Sequence, residues 1–139
     1  MHVIKTIGKE ENSIWIDMLF RKGPHTINPS PEYPPCFPLK NNLSVDITGN
    51  YFYLVYNNTV LGYAKISHVE DADEVQVGES RKTINVKATI VLESEFTKMP
   101  FYIHCRGFQG ARYLPDTIHD KTKTEAMEIL KAKGFKDIS

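Results

Sequence analysis

Cysteine is scarce in this chain of 139 residues, and long apolar runs are missing. The only cysteines, Cys36 and Cys105, lie far apart, which excludes a disulfide framework and a four-thiolate zinc site. No apolar run approaches the roughly 20 residues that span a bilayer, so no membrane partner is expected. The first residues, MHVIKTIGKEEN, lack the apolar segment of a secretory signal, which favours a cytoplasmic location.

The sequence has no excess of either charge, with 17 Lys and Arg against 17 Asp and Glu. A neutral total does not favour a general polyanion binder, although a local patch can still supply the field. The charges are unevenly placed. An acidic stretch ends at Glu79 and bases follow it, while Arg106 and Arg112 flank a glycine-containing segment.

Enzyme motifs are absent as well. The five histidines show neither H-x-x-x-H nor HExxH spacing, and there is no phosphate-binding P-loop, G-x-S-x-G or dinucleotide fingerprint. The sequence therefore predicts no metal, no cofactor and no catalytic residue. His68, close to Glu70 and Asp71, suggests a charge relay, but a surface histidine is the preferred interpretation.

Two N-terminal features stand before the central part of the chain. In EENSIWIDMLFRKGP, apolar residues recur at helical spacing and Gly23-Pro24 ends the pattern, which predicts a helix. Residues 24–38 then hold six of the eight prolines, which is typical of a long surface loop or of a belt over an end of the sheet.

The central part of the chain reads as β-structure. Alternation predicts strands at residues 43–47, 51–56, 60–69, 83–93 and 101–106, with a tight turn at Asn57-Asn58. Residues 51–56 are apolar on both faces, so both faces should be covered. A final helix is expected at about residues 122–133, closed by Gly134. The predicted fold is one α+β domain over residues 1–139, with a mainly antiparallel, strongly curved sheet or small pseudo-barrel and flanking helices.

The segment RGFQGARY at residues 106–113 is the first candidate for function. Its two glycines allow a sharp turn and a close backbone approach. Arg106, Gln109 and Arg112 offer donors to phosphates or base edges, and Phe108 and Tyr113 offer rings for stacking. The alternative interpretation is a glycine-kinked bend whose two rings fill the core.

Two further groups of residues are candidates. If residues 83–93 neighbour residues 101–106, one outward face carries a basic and aromatic platform of Asn85, Lys87, Tyr102, His104 and Arg106. The end of the first helix and its loop offer another group, namely Trp15, Arg21, Lys22, His25, Thr26 and Asn28. Trp15 is more typical of a core anchor than of a ligand cage.

The order of elements over residues 10–115 resembles the PUA-like barrel superfamily, particularly its ASCH and EVE branches. VLGYAKI at residues 60–66 and FQGARYL at residues 108–114 carry the resemblance. It implies a pseudo-barrel with a helix against its mouth, and a cleft between them that binds RNA or a modified or flipped base. By position, the residues bordering that cleft would be Trp15, Arg21, Lys22, Thr26, Arg106 and Arg112. The ASCH pattern has G-x-K-x-x-x-x-R at the place where this chain has GPHT, residues 23–26. This departure from the pattern favours binding over catalysis.

Two rival interpretations remain open. RGFQGARYL and EAMEILKAKGF also resemble a GNAT acyltransferase, which would hold the pyrophosphate of CoA on a loop that opens a helix. The proline-rich segment alternatively suggests a protein-interaction module, in which deletion of residues 28–37 should leave the fold intact. The leading hypothesis is a non-catalytic module that binds RNA or modified DNA through Trp15, Arg21, Lys22, Thr26, Lys87, Arg106, Gln109 and Arg112.

Overall fold

A computed structural model describes residues 1–8, 16–17, 19–20, 36–39, 46–71, 74–77 and 82–139. Strands dominate these residues. The strands are β1 (His2–Ile7), β2 (Cys36–Leu39), β3 (Tyr51–Tyr56), β4 (Thr59–Asp71), β5 (Glu74–Val77), β6 (Lys82–Asn85), β7 (Ala88–Leu92), β8 (Thr97–Lys98) and β9 (Ala111–Leu114). Helix α1 (Lys123–Ala132) follows them. No helix in the described ranges is long and apolar enough to cross a membrane.

The strands form a mixed sheet in the order β2-β7-β4-β3-β1-β9, with β8 also paired to β4. β5 and β6 form a separate two-stranded sheet. β1 and β3 run parallel, whereas the other pairs are antiparallel. The α+β class and the mainly antiparallel sheet are therefore confirmed. Among the described strands nothing pairs β2 with β9, so the sheet is not closed into a barrel.

β4 joins the two halves of the sheet because it changes partners along its 13 residues. Its first part, through Lys65, pairs with β3, and its second part, from Ile66, pairs with β7. The register shifts between Ile66 and His68, where the change of partner occurs. An irregularity of this kind bends and twists a strand.

Both faces of the sheet are covered by apolar side chains. In β3, Phe52 and Leu54 contribute to one buried cluster and Tyr53 and Val55 to the other, and all four are fully buried. The first cluster, here called face one, also includes Ile16, Leu19, Phe37, Ile47, Ile90 and Phe96. The second, face two, includes Ile4, Ile103, Cys105, Leu114, Ala126, Leu130 and Phe135. The predicted coverage of residues 51–56 on both sides is confirmed.

Predictions that depended on local signals hold. Asn57 and Asn58 have φ of 49° and 57°, the left-handed conformation that a two-residue hairpin turn requires. Thr122 caps α1, and its side chain and that of Glu125 accept each other's backbone N–H groups. Gly134, with φ of 87°, follows the helix as expected.

The prediction of one long strand at residues 83–93 is wrong. The chain forms β6, which pairs with β5, and then β7, which lies between β2 and β4. At the break, the Lys87 N–H donates to the Leu39 carbonyl. The alternating pattern hid this break because β7 is buried along its whole length, so its polar residue Thr89 is not on an outer face. Residues 101–106 likewise form only a bridge, between His104 and Thr59.

The proline-rich segment also needs correction at its end. Residues 36–39 are not surface loop but the edge strand β2, in which Pro38 lies opposite Thr89. An edge position tolerates a residue that cannot donate a ladder hydrogen bond. Phe37 stacks on Phe52 at a centroid distance of 4.8 Å, so a deletion through residue 37 would remove part of the core. Residues 24–35 lie outside the described residues.

The first predicted helix is described only in part. Ile16 and Asp17 are helical, and their carbonyls accept from the N–H groups of Leu19 and Phe20. The rest of that helix lies outside the described residues, as do Leu43 and Val45 of the strand expected at residues 43–47. Ile47, the described end of that strand, is buried but belongs to no strand.

Candidate functional site

The loop at residues 106–110, here called the arginine loop, is fixed to the sheet through its backbone. The N–H of Gly107 donates to Asn58 Oδ1 at 3.0 Å, and the N–H of Phe108 donates to Thr6 Oγ1 at 3.2 Å. Just before the loop, the Cys105 N–H donates to the Asn58 carbonyl at 2.9 Å. The β3–β4 turn and β1 thus satisfy the loop backbone and leave its polar side chains uncommitted.

The chain after α1 fixes the other side of the loop. The N–H of Arg106 donates to the Lys136 carbonyl at 3.0 Å, and His104 and Ser139 exchange two backbone hydrogen bonds of 2.9 and 3.2 Å. Residues 104–106 and 136–139 therefore run side by side. This pairing brings Lys136 and Asp137 next to Arg106.

Two glycines shape this loop. Gly110 has φ of 74°, a conformation that other residues rarely adopt. A Cβ on Gly107 would lie 3.3 Å from Thr6 Cγ2, a tight contact that a small shift of the Thr6 side chain would have to relieve. The interpretation of RGFQGARY as a glycine-dependent bend is confirmed, and Ala111–Leu114 continues it as the edge strand β9.

Arg112 lies over aromatic rings rather than beside a carboxylate. Its guanidinium carbon is 4.7 Å from the centroid of Phe108 and 5.4 Å from that of Phe135. The two rings meet edge to face at 5.1 Å, and Phe135 is buried. A guanidinium that contacts aromatic rings keeps N–H donors with which it can contact a phosphate.

Two adjoining hollows share Arg106, Gly107 and Phe108 as a wall. The larger, of about 630 Å³, is also lined by Thr6, Asn58, His104, Gln109 and Asp137. The smaller, of about 240 Å³, is also lined by Arg112, Phe135 and Lys136. Within the described part of the chain, Arg106, Arg112 and Lys136 form no ion pair. Three cations and one carboxylate give this surface a positive balance.

Two groups beside the loop are committed to the fold. The Nδ1–H of His104 donates to the Asp137 carbonyl at 2.6 Å, since a carbonyl can only accept, so Nε2 is the nitrogen left for other contacts. Burial raises the pKa of Cys105 to about 11, with Arg112 opposing the shift. The thiol therefore stays protonated, and Cys105 is a small residue of the buried core.

A second polar cluster was not predicted. The fully buried Tyr53 accepts from the Ile118 N–H at 2.9 Å, and its oxygen lies 2.7 Å from His119 Nδ1. Because no other acceptor for the Tyr53 hydroxyl is present among the described residues, Tyr53 donates to Nδ1. Burial raises the pKa of Tyr53 to about 12. The ring of His119 stacks on Tyr63 at 4.0 Å.

Burial is also the main cause of lower pKa values at both histidines of this cluster. For His119 it acts with Lys121 and against Asp120. For His2 the N-terminal ammonium adds to it. His2 Nδ1 accepts from the Tyr51 N–H at 3.0 Å. His119 thus ties the connector between β9 and α1 to β3 and β4, and His2 ties β1 to β3.

The suspected relay at His68 exists as a surface chain of hydrogen bonds. His68 Nε2 lies 2.7 Å from Glu70, and Nδ1 lies 2.8 Å from Ser67 Oγ. The side chains of His68 and Glu70 are 48% and 62% exposed, which agrees with a surface histidine. Over the described ranges, no group of three or more His, Cys, Asp or Glu is placed to hold a metal ion.

The structure brings together three of the eight predicted site residues. Arg106, Gln109 and Arg112 are exposed on or beside the arginine loop. Lys87 lies apart from these three residues. It adjoins Ala88, which lies opposite the end of β4. Arg106 lies close to His104, which forms a bridge with the start of β4. At about 3.3 Å per residue, β4 separates these points by about 40 Å of strand. The predicted basic and aromatic platform of Lys87 with Arg106 is therefore wrong.

Most of the predicted helix–barrel cleft falls outside the structure. Trp15, Arg21, Lys22 and Thr26 lie outside the described residues. Their described neighbours Ile16 and Leu19 belong to face one, whereas Phe108 packs against face two. The arginine loop therefore lies with α1. Tyr113, once a candidate for stacking, packs against face one, and Phe108 supports Arg112.

Several residues of the site escaped sequence reasoning. Lys136 and Asp137 reach the loop through backbone pairing across about thirty residues, for which the sequence carries no local signal. The side chains of Thr6 and Asn58 contribute one acceptor oxygen each. Phe135 had a weak signal, since an apolar residue directly after a helix-ending glycine commonly packs back on the helix.

Comparison with protein-family models, curated proteins and solved structures found no match to this chain. The geometry of the site is therefore the basis for assigning a function.

Proposed function

We propose that the chain is a nucleic-acid-binding module that takes RNA, or a modified or flipped base, at the arginine loop. The observation that carries the proposal is a set of three cations, Arg106, Arg112 and Lys136, around two adjoining hollows, none of them paired with a carboxylate of a described residue. A cationic surface next to a pocket suits a polyanion whose bases can leave the stack.

The form of the cations supports phosphate as the ligand. Arg112 is held by Phe108 and Phe135, so less rotamer entropy is lost when its N–H donors contact an anion. The larger hollow, of about 630 Å³, lies within the range of about 300–1,000 Å³ that is typical of ligand pockets. A single unstacked nucleotide is a ligand of suitable size and charge.

The relation to PUA-like domains is part of this proposal. Its support is the change of partners along β4, which turns the sheet as a pseudo-barrel requires, and the position of the loop beside a helix. A cytoplasmic location belongs to the same proposal.

Binding of mixed-sequence single-stranded RNA and DNA across a salt series tests the proposal by fluorescence anisotropy. Three phosphate contacts on a single strand predict that log K falls with log salt at a slope of about −2. Replacing both Arg106 and Arg112 by Ala should weaken binding at least tenfold and reduce the slope by about 1 or more. Unfolding by urea should change little, since Arg106 and Arg112 are exposed.

Lys87→Ala is the matched control. It removes one exposed cation at the far end of β4, so affinity and salt slope should stay at the wild-type values. Salt-insensitive binding, no binding, or an equal loss in Lys87→Ala would each contradict the proposal.

The rival functions receive less support from the geometry. The arginine loop runs into β9, and α1 begins only at Lys123, whereas a GNAT pyrophosphate loop would open a helix directly. The segment that a protein-interaction module would use lies outside the described residues, apart from β2.

A further inference from the structure

The two hollows on either side of Arg106–Phe108 differ in chemistry. The smaller is lined by Arg106, Arg112 and Lys136 with two phenylalanines, and by no carboxylate. Its volume of about 240 Å³ is below the range of about 300–1,000 Å³ that is typical of ligand pockets. A compact anion such as one phosphate group fits these properties.

The larger hollow carries the only carboxylate of the described site, that of Asp137. No described residue donates to that carboxylate, and none pairs with the amide of Gln109. His104 also lines this hollow, and its Nδ1 is already committed to the Asp137 carbonyl. These groups offer hydrogen bonds to a ligand edge that has both donors and acceptors.

A carboxylate in the site argues against a phosphate at that position and for a group with N–H donors. An ionised carboxylate only accepts, and its two oxygens match two parallel N–H donors. On the Watson–Crick edge, guanine presents two adjacent N–H donors. Adenine and cytosine each present one amino group, and uracil presents one N–H between two carbonyls that the carboxylate would repel.

We propose that the site binds one nucleotide across both hollows. The phosphate lies in the smaller, cationic hollow and a guanine base lies in the larger one, where Asp137 selects guanine over the other bases. This inference rests on the proposed nucleic-acid function and deepens it to a base preference. A good bidentate pair discriminates by about 1–3 kcal/mol, which corresponds to roughly five- to 150-fold in affinity.

Short uridine-rich RNA oligonucleotides with one central variable base provide the test. Wild-type protein should bind the strand with a central guanine about tenfold more tightly than the all-uridine strand, with adenine and cytosine between them. Asp137→Asn keeps the size of the side chain and tolerates the positive φ of 55° at this position, but it removes the charge. It should reduce the guanine preference to about threefold or less, with an unchanged unfolding midpoint.

Asp116→Asn is the control, because Asp116 is an exposed carboxylate that lines a different groove beside α1. It should keep the wild-type preference. Guanine selection is overturned, while the proposed function stands, in either of two cases. In the first, wild type binds with the expected salt slope but shows no base preference. In the second, Asp137→Asn prefers guanine as strongly as wild type does. If no strand binds, the proposed function itself fails.

Discussion

The connector at residues 117–121 and the arginine loop are both tied to the sheet by long-range hydrogen bonds, but their ionisable side chains differ. In the connector, His119 contacts the hydroxyl of the buried Tyr53 and stacks on Tyr63. In the arginine loop, Thr6 and Asn58 hold only backbone N–H groups. The cations of the loop are left facing the solvent.

This difference separates a structural role from a binding role. A titratable group whose hydrogen bonds are made within the fold has few left for a ligand, as at Tyr53 and His119. A backbone that is fixed while its charged side chains stay unpaired is already organised for a ligand. We therefore expect changes at the connector to alter stability and changes at the loop to alter binding.

The largest effect should follow from Tyr53→Phe. The substitution leaves the Ile118 N–H without its acceptor and His119 without its donor, so the free energy of unfolding should fall by about 1–3 kcal/mol. Urea unfolding followed by circular dichroism measures this change. Oligonucleotide affinity at pH 7.5 should stay within about twofold, and a tenfold loss would show that the two regions are not separate.

Asn58→Gly should have a smaller effect on stability and a visible effect on binding. Glycine keeps the positive φ at this turn but removes the acceptor of the Gly107 N–H, which should cost about 0.5–1.5 kcal/mol. Asn57→Gly is the matched control, since Asn57 also has positive φ and its side chain accepts no such bond. Binding should weaken severalfold in Asn58→Gly alone, because only that change loosens the loop.

The smallest expected effect is a dependence of stability on pH. Burial lowers the folded-state pKa values of His119 and His2 below 6.5, so as pH falls through 6.5 the unfolded chain binds protons that the folded chain does not. The free energy of unfolding should fall in this window and level off below the folded pKa values. His119→Asn should flatten the curve in part, because His2 remains.

The part of the fold that sequence reasoning reached was the part coded locally. The Asn57-Asn58 turn fixes the β3–β4 hairpin, and Gly134 ends α1, since each needs only neighbouring residues. The parallel pairing of β1 with β3 was not predicted, because it joins segments about fifty residues apart and no local pattern specifies it.

In the candidate site, too, the residues that local sequence signals mark were predicted and those placed by long-range pairing were not. Arg106, Gln109 and Arg112 were found because glycines and cations stand together in one segment. Lys136 and Asp137 were missed because only tertiary pairing with residues 104–106 places them at the loop. Lys87 was wrongly included because alternation alone does not show that β7 has strands on both sides.

The partner exchange along β4 bears on how the molecule comes apart. In the described sheet, the β2–β7 portion and the β3–β1–β9 portion are joined through this one strand. Both portions pair with β4 and share the buried cluster of face one, so the two should melt together in a single transition. Amide protons at the centre of β4 should consequently be among the slowest to exchange with deuterated solvent.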